Sequence, residues 1–259
     1  MNLHGVHDRL RRLYIHYNRR EFTQNDPIQF LYRYEDPQDM ETAGLIASGL
    51  AFGTVKQILR SVEAVLDRLP RPARFLEEIT DNRLRELTSG FHHRFIQGED
   101  LYGLLRGIKG IRERYGSLGR CFLQGFRPPD STVYPALARF AETWRHELQN
   151  SGDFLIPNPG RGSACKRLNL FLRWMVRKDE VDCGVWTGIS ASKLIVPLDT
   201  HMFAISRFLG LTQRKRPDRA AALEVTAAFR CIEPDDPVRY DFALTRLGIR
   251  QDTHLLTLP

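Results

Sequence analysis

Apolar residues recur along this chain at the 3.6-residue period of a helix, while strand-like alternation is scarce. Leu3, Val6, Leu10, Leu13 and Tyr17 share one helical face, which predicts a first helix over 3–18. Asp26-Pro27 and Asp36-Pro37 interrupt the pattern, the second as an N-cap followed by proline at the first helical position. Over 37–50 the residues are small and apolar almost all round the second half, so a helix buried in a helical layer is expected, with Gly49 and Gly53 marking a close approach or its end. Amphipathic helices are expected over 54–69, 72–88 and 100–115, the last broken by glycines at 103, 107, 110 and 116. Segments 124–130 and 150–163 are strong breakers, and 132–148 between them is helical in pattern. Ser163 is placed to cap a helix over 164–178 with a buried stripe of Leu168, Phe171, Leu172, Met175 and Val176. Thr200 is placed to cap a short helix through Leu209, and Pro217 and Pro237 to sit in the first turns of two final helices. The fold class that follows is all-α.

A chain of 259 residues is one large domain or two modest ones and needs no staple to hold its core. Cysteines 121, 165, 183 and 231 are too scattered for a disulfide framework, and no closely spaced pair supports a zinc or iron-sulfur site. No cofactor is expected. The first residues lack the order of a secretory signal, and no apolar run approaches the roughly 18 residues of a membrane span, so a soluble protein in a reduced, cytoplasmic or nucleoid-associated setting is expected. Lys plus Arg number 38 against 31 acids, net +7, which favours a polyanionic partner but also describes many merely soluble proteins.

The charge is concentrated. Residues 154–178 hold Arg161, Lys166, Arg167, Arg173, Arg177 and Lys178 without one acid. Lys166, Asn169, Arg173 and Arg177 recur at spacings of three and four opposite the apolar stripe, so they are expected to share an outward face, either for phosphates or as an ordinary solvated surface. Gly160, Gly162 and Ser163 precede this helix, where free amides can approach a phosphate or simply turn the chain. Downstream, Asp199, Thr200 and His201 gather at a helix start. Asp199 can stabilise developing positive charge or hold the turn as a cap. Lys166 can act as an amine nucleophile only if burial or a neighbouring cation, Arg167 or Arg173, favours its neutral form. His92 and His93 do not project together from a helix; a metal role is not expected, and one is assigned to a core edge or a phosphate, the other to solvent.

Three stretches carry a resemblance: Gly162-Ser-Ala-Cys-Lys-Arg-Leu-Asn-Leu-Phe-Leu-Arg-Trp-Met-Val-Arg177, Pro197-Leu-Asp-Thr-His201 and Tyr240-Asp-Phe-Ala-Leu-Thr-Arg-Leu-Gly248. Through them the chain resembles the bacterial DUF2400 family over most of its length. More remotely, residues 194–211 resemble the Asp-containing turn and helix of the helix-hairpin-helix DNA glycosylases, including the archaeal 8-oxoguanine glycosylases. The superfamily's L-P-G-V-G hairpin is replaced here by Pro157-Asn-Pro-Gly-Arg-Gly-Ser163. That resemblance implies two helical subdomains with a cleft, a middle one at 35–125 and a discontinuous one from 1–34 and 126–259. It implies Asp199 as the catalytic carboxylate and Lys166 as a Schiff-base lysine; from the basic helix and the two turns, Arg161, Gly162, Ser163, Arg167, Arg173, Arg177 and His201 are the residues expected on nucleic acid. Phe52, Phe126, Trp144, Trp174 and Phe203 are candidate pocket or wedge aromatics as well as core residues, and Trp174 is the best placed for a base contact. The implied activity is excision of an oxidised purine such as 8-oxoguanine from lesion-containing duplex DNA by a monomer, with or without β-lyase action. A noncatalytic DNA-binding protein and a helical protein-interaction module stay open beside it.

Overall fold

The computed structural model describes residues 3–147 and 154–250, with backbone alone at 3–5 and 247–250. Of the sequence readings, Leu148 and positions 150–153 of the second breaker lie outside the described residues, and so does the side chain of Leu3. Among the described residues are twelve α-helices and one small hairpin, an almost wholly helical fold. The helices are α1 (Leu3–Tyr17), α2 (Pro37–Gly49), α3 (Val55–Leu66), α4 (Pro72–Glu78), α5 (Asp81–Thr88), α6 (Gly98–Tyr115), α7 (Leu118–Gly125), α8 (Tyr134–Glu147), α9 (Lys166–Val176), α10 (Thr200–Phe208), α11 (Arg219–Ile232) and α12 (Asp241–Arg250). Strands β1 (His92–His93) and β2 (Ile96–Gln97) pair antiparallel, His92 opposite Gln97 and His93 opposite Ile96. No helix among the described residues is long and apolar enough to cross a membrane.

Helix α2 is the centre of the packing. Asp36 accepts a bond from Gln38 N at 2.8 Å, Pro37 occupies the first turn, and the residues from Thr42 to Gly49 are all buried. At Gly44 an added methyl carbon would stand 3.0 Å from Met175 and 3.4 Å from Phe171, so glycine lets α2 lie close against α9. Glu41 crosses to a third element. Its carboxylate accepts from Leu118 N at 2.9 Å, Gly119 N at 3.1 Å and the Trp186 indole at 2.8 Å, and thereby caps α7. Burial pushes this carboxyl up from its ordinary value.

Several expected boundaries move. The 72–88 helix divides at Thr80, whose hydroxyl caps α5. The glycines of α6 do not break it: Gly107 makes room for Trp144 of α8, whose ring would lie 2.6 Å from an added methyl carbon, and Gly116 ends the helix at φ +80°. Ser163 does not cap α9. That position is Cys165, at φ +48°, while the Ser163 hydroxyl accepts from Cys165 N at 3.1 Å. Asp199 rather than Thr200 caps α10, and Asp218 caps α11, so Pro217 precedes the cap and Pro237 precedes α12 by a full turn. Neither α7 nor the hairpin was expected, because two-residue strands leave no alternation to see.

Candidate functional site

A cavity of about 530 Å³ opens where the 51–58 segment faces α9, the 197–201 turn and α12, within the size range of small-ligand sites. Its polar lining includes Asp26, Lys166, Arg167, Arg173, Asp199, His201, Asp241 and Arg246, and its apolar lining includes Ala51, Phe52 and Leu170.

Lys166 and Asp199 come together here. The ammonium lies 4.0 Å from the Asp199 carboxylate, and the two side chains keep 27% and 31% of their surface exposed. Asp199 also caps, its Oδ1 accepting from Met202 N at 2.8 Å, so the capping role weighed above is realised and one carboxylate oxygen is left toward Lys166. Lys166 donates to Ala51 O at 3.4 Å and Arg167 to Gly49 O at 2.7 Å, placing two cations at the carbonyl end of α2, where the helix dipole favours them. His201, one turn position on, is exposed at the cavity wall.

The outward basic face is not present. Asn169, Arg173 and Arg177 are buried, the two arginines only 2% and 5% exposed. Arg173 pairs with Asp182 at 3.2 Å and with Asp241; Arg177 pairs with Asp182 at 2.8 Å, Asp236 at 2.7 Å and Asp179. The carboxylates that neutralise the helix come from distant segments: Asp179 and Asp182 from the following loop, Asp236 from the segment before α12 and Asp241 from its start. Arg173 and Arg177 are therefore corrected from phosphate contacts to members of an internal ion network, although Arg173 also borders the cavity. Arg167 is largely occupied as well, bonding Gly49 O and Phe154 O, and burial pushes its guanidinium down to about 10. Arg161, Gly162 and Ser163 lie at a turn outside the cavity lining, Gly162 at φ +81° with its carbonyl taken by Arg219 N at 3.0 Å.

Trp174 is fully buried and is corrected from a base contact to a core residue. Trp144 and Phe203 are also buried, and of the five aromatics only Phe52 lines the cavity. The paired histidines divide as expected: His93 is buried, bonded to Ser61 Oγ at 2.8 Å and Phe52 O at 3.0 Å, while His92 is exposed.

Sequence reasoning quoted Asp241 and Arg246 within a motif but gave them no place in the site, and both line the cavity. Asp241 Oδ1, Arg173 Nη2 and Arg246 Nε have no hydrogen-bond partner, and burial pushes the Asp241 carboxyl up to about 6 even with Arg173 beside it. The available signal was an acid opening the otherwise apolar start of α12. Burial raises the Cys121 thiol to about 12 and the Cys183 thiol to about 11, so neither is a thiolate nucleophile at neutral pH. Among the described residues no group of His, Cys, Asp or Glu gathers to hold a metal.

The comparison with family models decides the kinship: one described as "Protein of unknown function (DUF2400)" matches residues 26–250. The chain belongs to the DUF2400 family. The DUF2400 match spans Lys166, Asp199 and Asp241 together. No curated protein and no solved structure matches the chain.

Proposed function

We propose that the chain is a DNA-repair glycosylase of helix-hairpin-helix type, excising an oxidised purine, with 35–125 forming one side of a DNA cleft and 1–34 with 126–259 the other. The observation that carries this reading is the meeting of Lys166 and Asp199, 33 residues apart, at 4.0 Å in the wall of the cavity. A damaged nucleotide leaves the stack and enters the cavity. As the glycosidic bond breaks the sugar becomes cationic, and the Asp199 carboxylate, fixed at the start of α10, stabilises that charge. Lys166, after giving a proton to water, attacks C1′ as the base departs and takes up a proton; the C1′–O4′ bond of the resulting aminal then opens, O4′ taking a proton, to leave the Schiff base of a bifunctional enzyme. Asp241 and Arg246 belong to the lining that meets the entering nucleotide. With Arg173 and Arg177 neutralised, phosphates fall to exposed bases beside cavity-lining residues: Lys56 next to Val55, and Lys215 and Arg216 next to Pro217.

The test is single-turnover base excision and borohydride trapping on duplex DNA carrying 8-oxoguanine or another lesion, with circular dichroism of each variant. Lys166→Gln is expected to abolish trapping. Undiminished trapping in that variant moves the nucleophile elsewhere, and no excision on any lesion by the wild type removes the reading. One observation favours a second reading, a noncatalytic DNA-binding protein: both residues have structural bonds, Asp199 to Met202 N and Lys166 to Ala51 O. DNA affinity without base release across a lesion panel is its signature.

A further inference from the structure

Two of the large apolar side chains that solvent reaches lie against each other beside the cavity. Phe95 is 56% exposed and Phe154 43%, with ring centres 4.5 Å apart and planes at 80°. Phe52, on the cavity wall, completes the group at 5.4 Å from Phe95 and 5.3 Å from Phe154. The Arg167 guanidinium lies 4.4 Å from the Phe154 ring centre and 5.1 Å from that of Phe52, a cation–π arrangement that holds the inner faces in place. The outer faces of Phe95 and Phe154 are left to solvent.

The mount of Phe95 is a tight turn. It sits at the tip of the β1–β2 hairpin, in a two-residue loop whose first member, Arg94, has φ +58°, a conformation that glycine usually supplies there. Inside the hairpin His93 is buried, bonded on both ring nitrogens and stacked edge-on to Phe52 at 4.7 Å. A strained residue that holds a phenylalanine in solvent gains little from core packing, and such strain gathers where a surface is used. The charge on this lip is positive. Arg94 lies over Gly53 of the cavity wall and Lys56 follows one turn on; both are exposed, and neither has an ion pair among the described residues. Flat apolar faces flanked by uncompensated cations match a nucleotide strand, whose bases stack and whose phosphates carry charge.

We infer that Phe95 and Phe154 form a stacking site for an unpaired nucleobase next to the nucleotide held in the cavity, with Arg94 and Lys56 taking the flanking phosphates. The inference rests on the nucleic-acid reading of the cavity and is independent of its chemistry. The experiment measures binding of the full chain to a twelve-nucleotide oligothymidylate and to a twelve-unit strand of abasic deoxyribose phosphates. Phe95→Ala is expected to weaken oligothymidylate binding about tenfold, Phe95→Trp to restore it, and neither to change binding of the abasic strand. Replacing Lys56 and Arg94 by Gln is expected to weaken both strands and flatten the salt dependence. Unaltered affinity in a folded Phe95→Ala protein overturns the inference, as does an equal loss on the abasic strand. A wild type that binds neither strand also overturns it and leaves the patch to a protein partner. If Phe95→Ala loses oligothymidylate affinity while no lesion is ever excised, the stacking site stands and the glycosylase reading falls; unchanged affinity beside intact excision gives the reverse.

Discussion

The two ends of α9 carry the same kind of side chain and meet different surroundings. At its start Lys166 is part-exposed, 4.0 Å from a single carboxylate that also caps a helix. At its end Arg173 and Arg177 are sealed among Asp179, Asp182, Asp236 and Asp241. The difference is one of partners and solvent. A buried cation with its carboxylates in place holds elements together, here α9, the loop after it and α12, while a part-exposed and loosely paired one keeps freedom to meet a ligand. Charge density along a helix therefore does not mark a binding face until the acids brought in by other segments are counted.

The largest effect that tests this contrast is at the sealed end. Asp182→Ala leaves two buried guanidinium groups short of a partner and is expected to cost about 3–5 kcal/mol in urea unfolding. A loss under about 1 kcal/mol would mean that the network is not what secures α9.

At the open end, Asp199→Asn keeps an oxygen for Met202 N, so the unfolding midpoint is expected to hold while single-turnover excision falls about a hundredfold. Near-wild-type excision by the folded variant overturns the assignment of Asp199.

Acid sharpens the comparison next. Burial by itself raises the Asp179 carboxyl, but Arg177 and the N–H groups of Val181 and Asp182 outweigh it and hold the group below its ordinary 3.8. A depressed folded value means stability that is present above the unfolded value and is lost as pH falls through the folded one. Asp179→Asn is expected to be about 2 kcal/mol less stable than the wild type at neutral pH, and the gap should close as pH drops below 3.8. A constant gap from neutral pH down to pH 2 contradicts the ion pair as its source.

The smallest effect is Lys166→Gln, expected to change unfolding free energy by about 0.5 kcal/mol or less, since a part-exposed, loose pair contributes little. A cost above about 2 kcal/mol would make Lys166 a structural residue like Arg173.

Much of the helical order was legible because it is written locally. Asp36-Pro37 starts α2, Thr54 starts α3 with Gln57 in a reciprocal capping pair, and Leu10, Leu13 and Tyr17 mark the buried face of α1. What failed was set at a distance. Gly107 looks like a breaker until Trp144 is seen to occupy its space, Arg173 and Arg177 look like a surface until the aspartates arrive, and Trp174 gives no sign of being sealed on every side. In the site, Lys166 and Asp199 were named through the resemblance and stand together. Asp241 was seen only as part of a motif, and Phe95 and Phe154 were given no role in the site, because a two-residue hairpin and a ring beside a breaker have no periodicity to announce them.

The tryptophans carry a practical consequence. The chain has three, at 144, 174 and 186, all buried and none bordering the cavity, with the Trp186 indole bonded to Glu41. Their emission is therefore that of indoles screened from water, and it reports on whether the helices are assembled rather than on what occupies the cavity. A red shift accompanies unfolding, whereas filling of the cavity passes unseen in this optical channel, so occupancy and denaturation can be followed separately in one cuvette when the ligand bears its own dye.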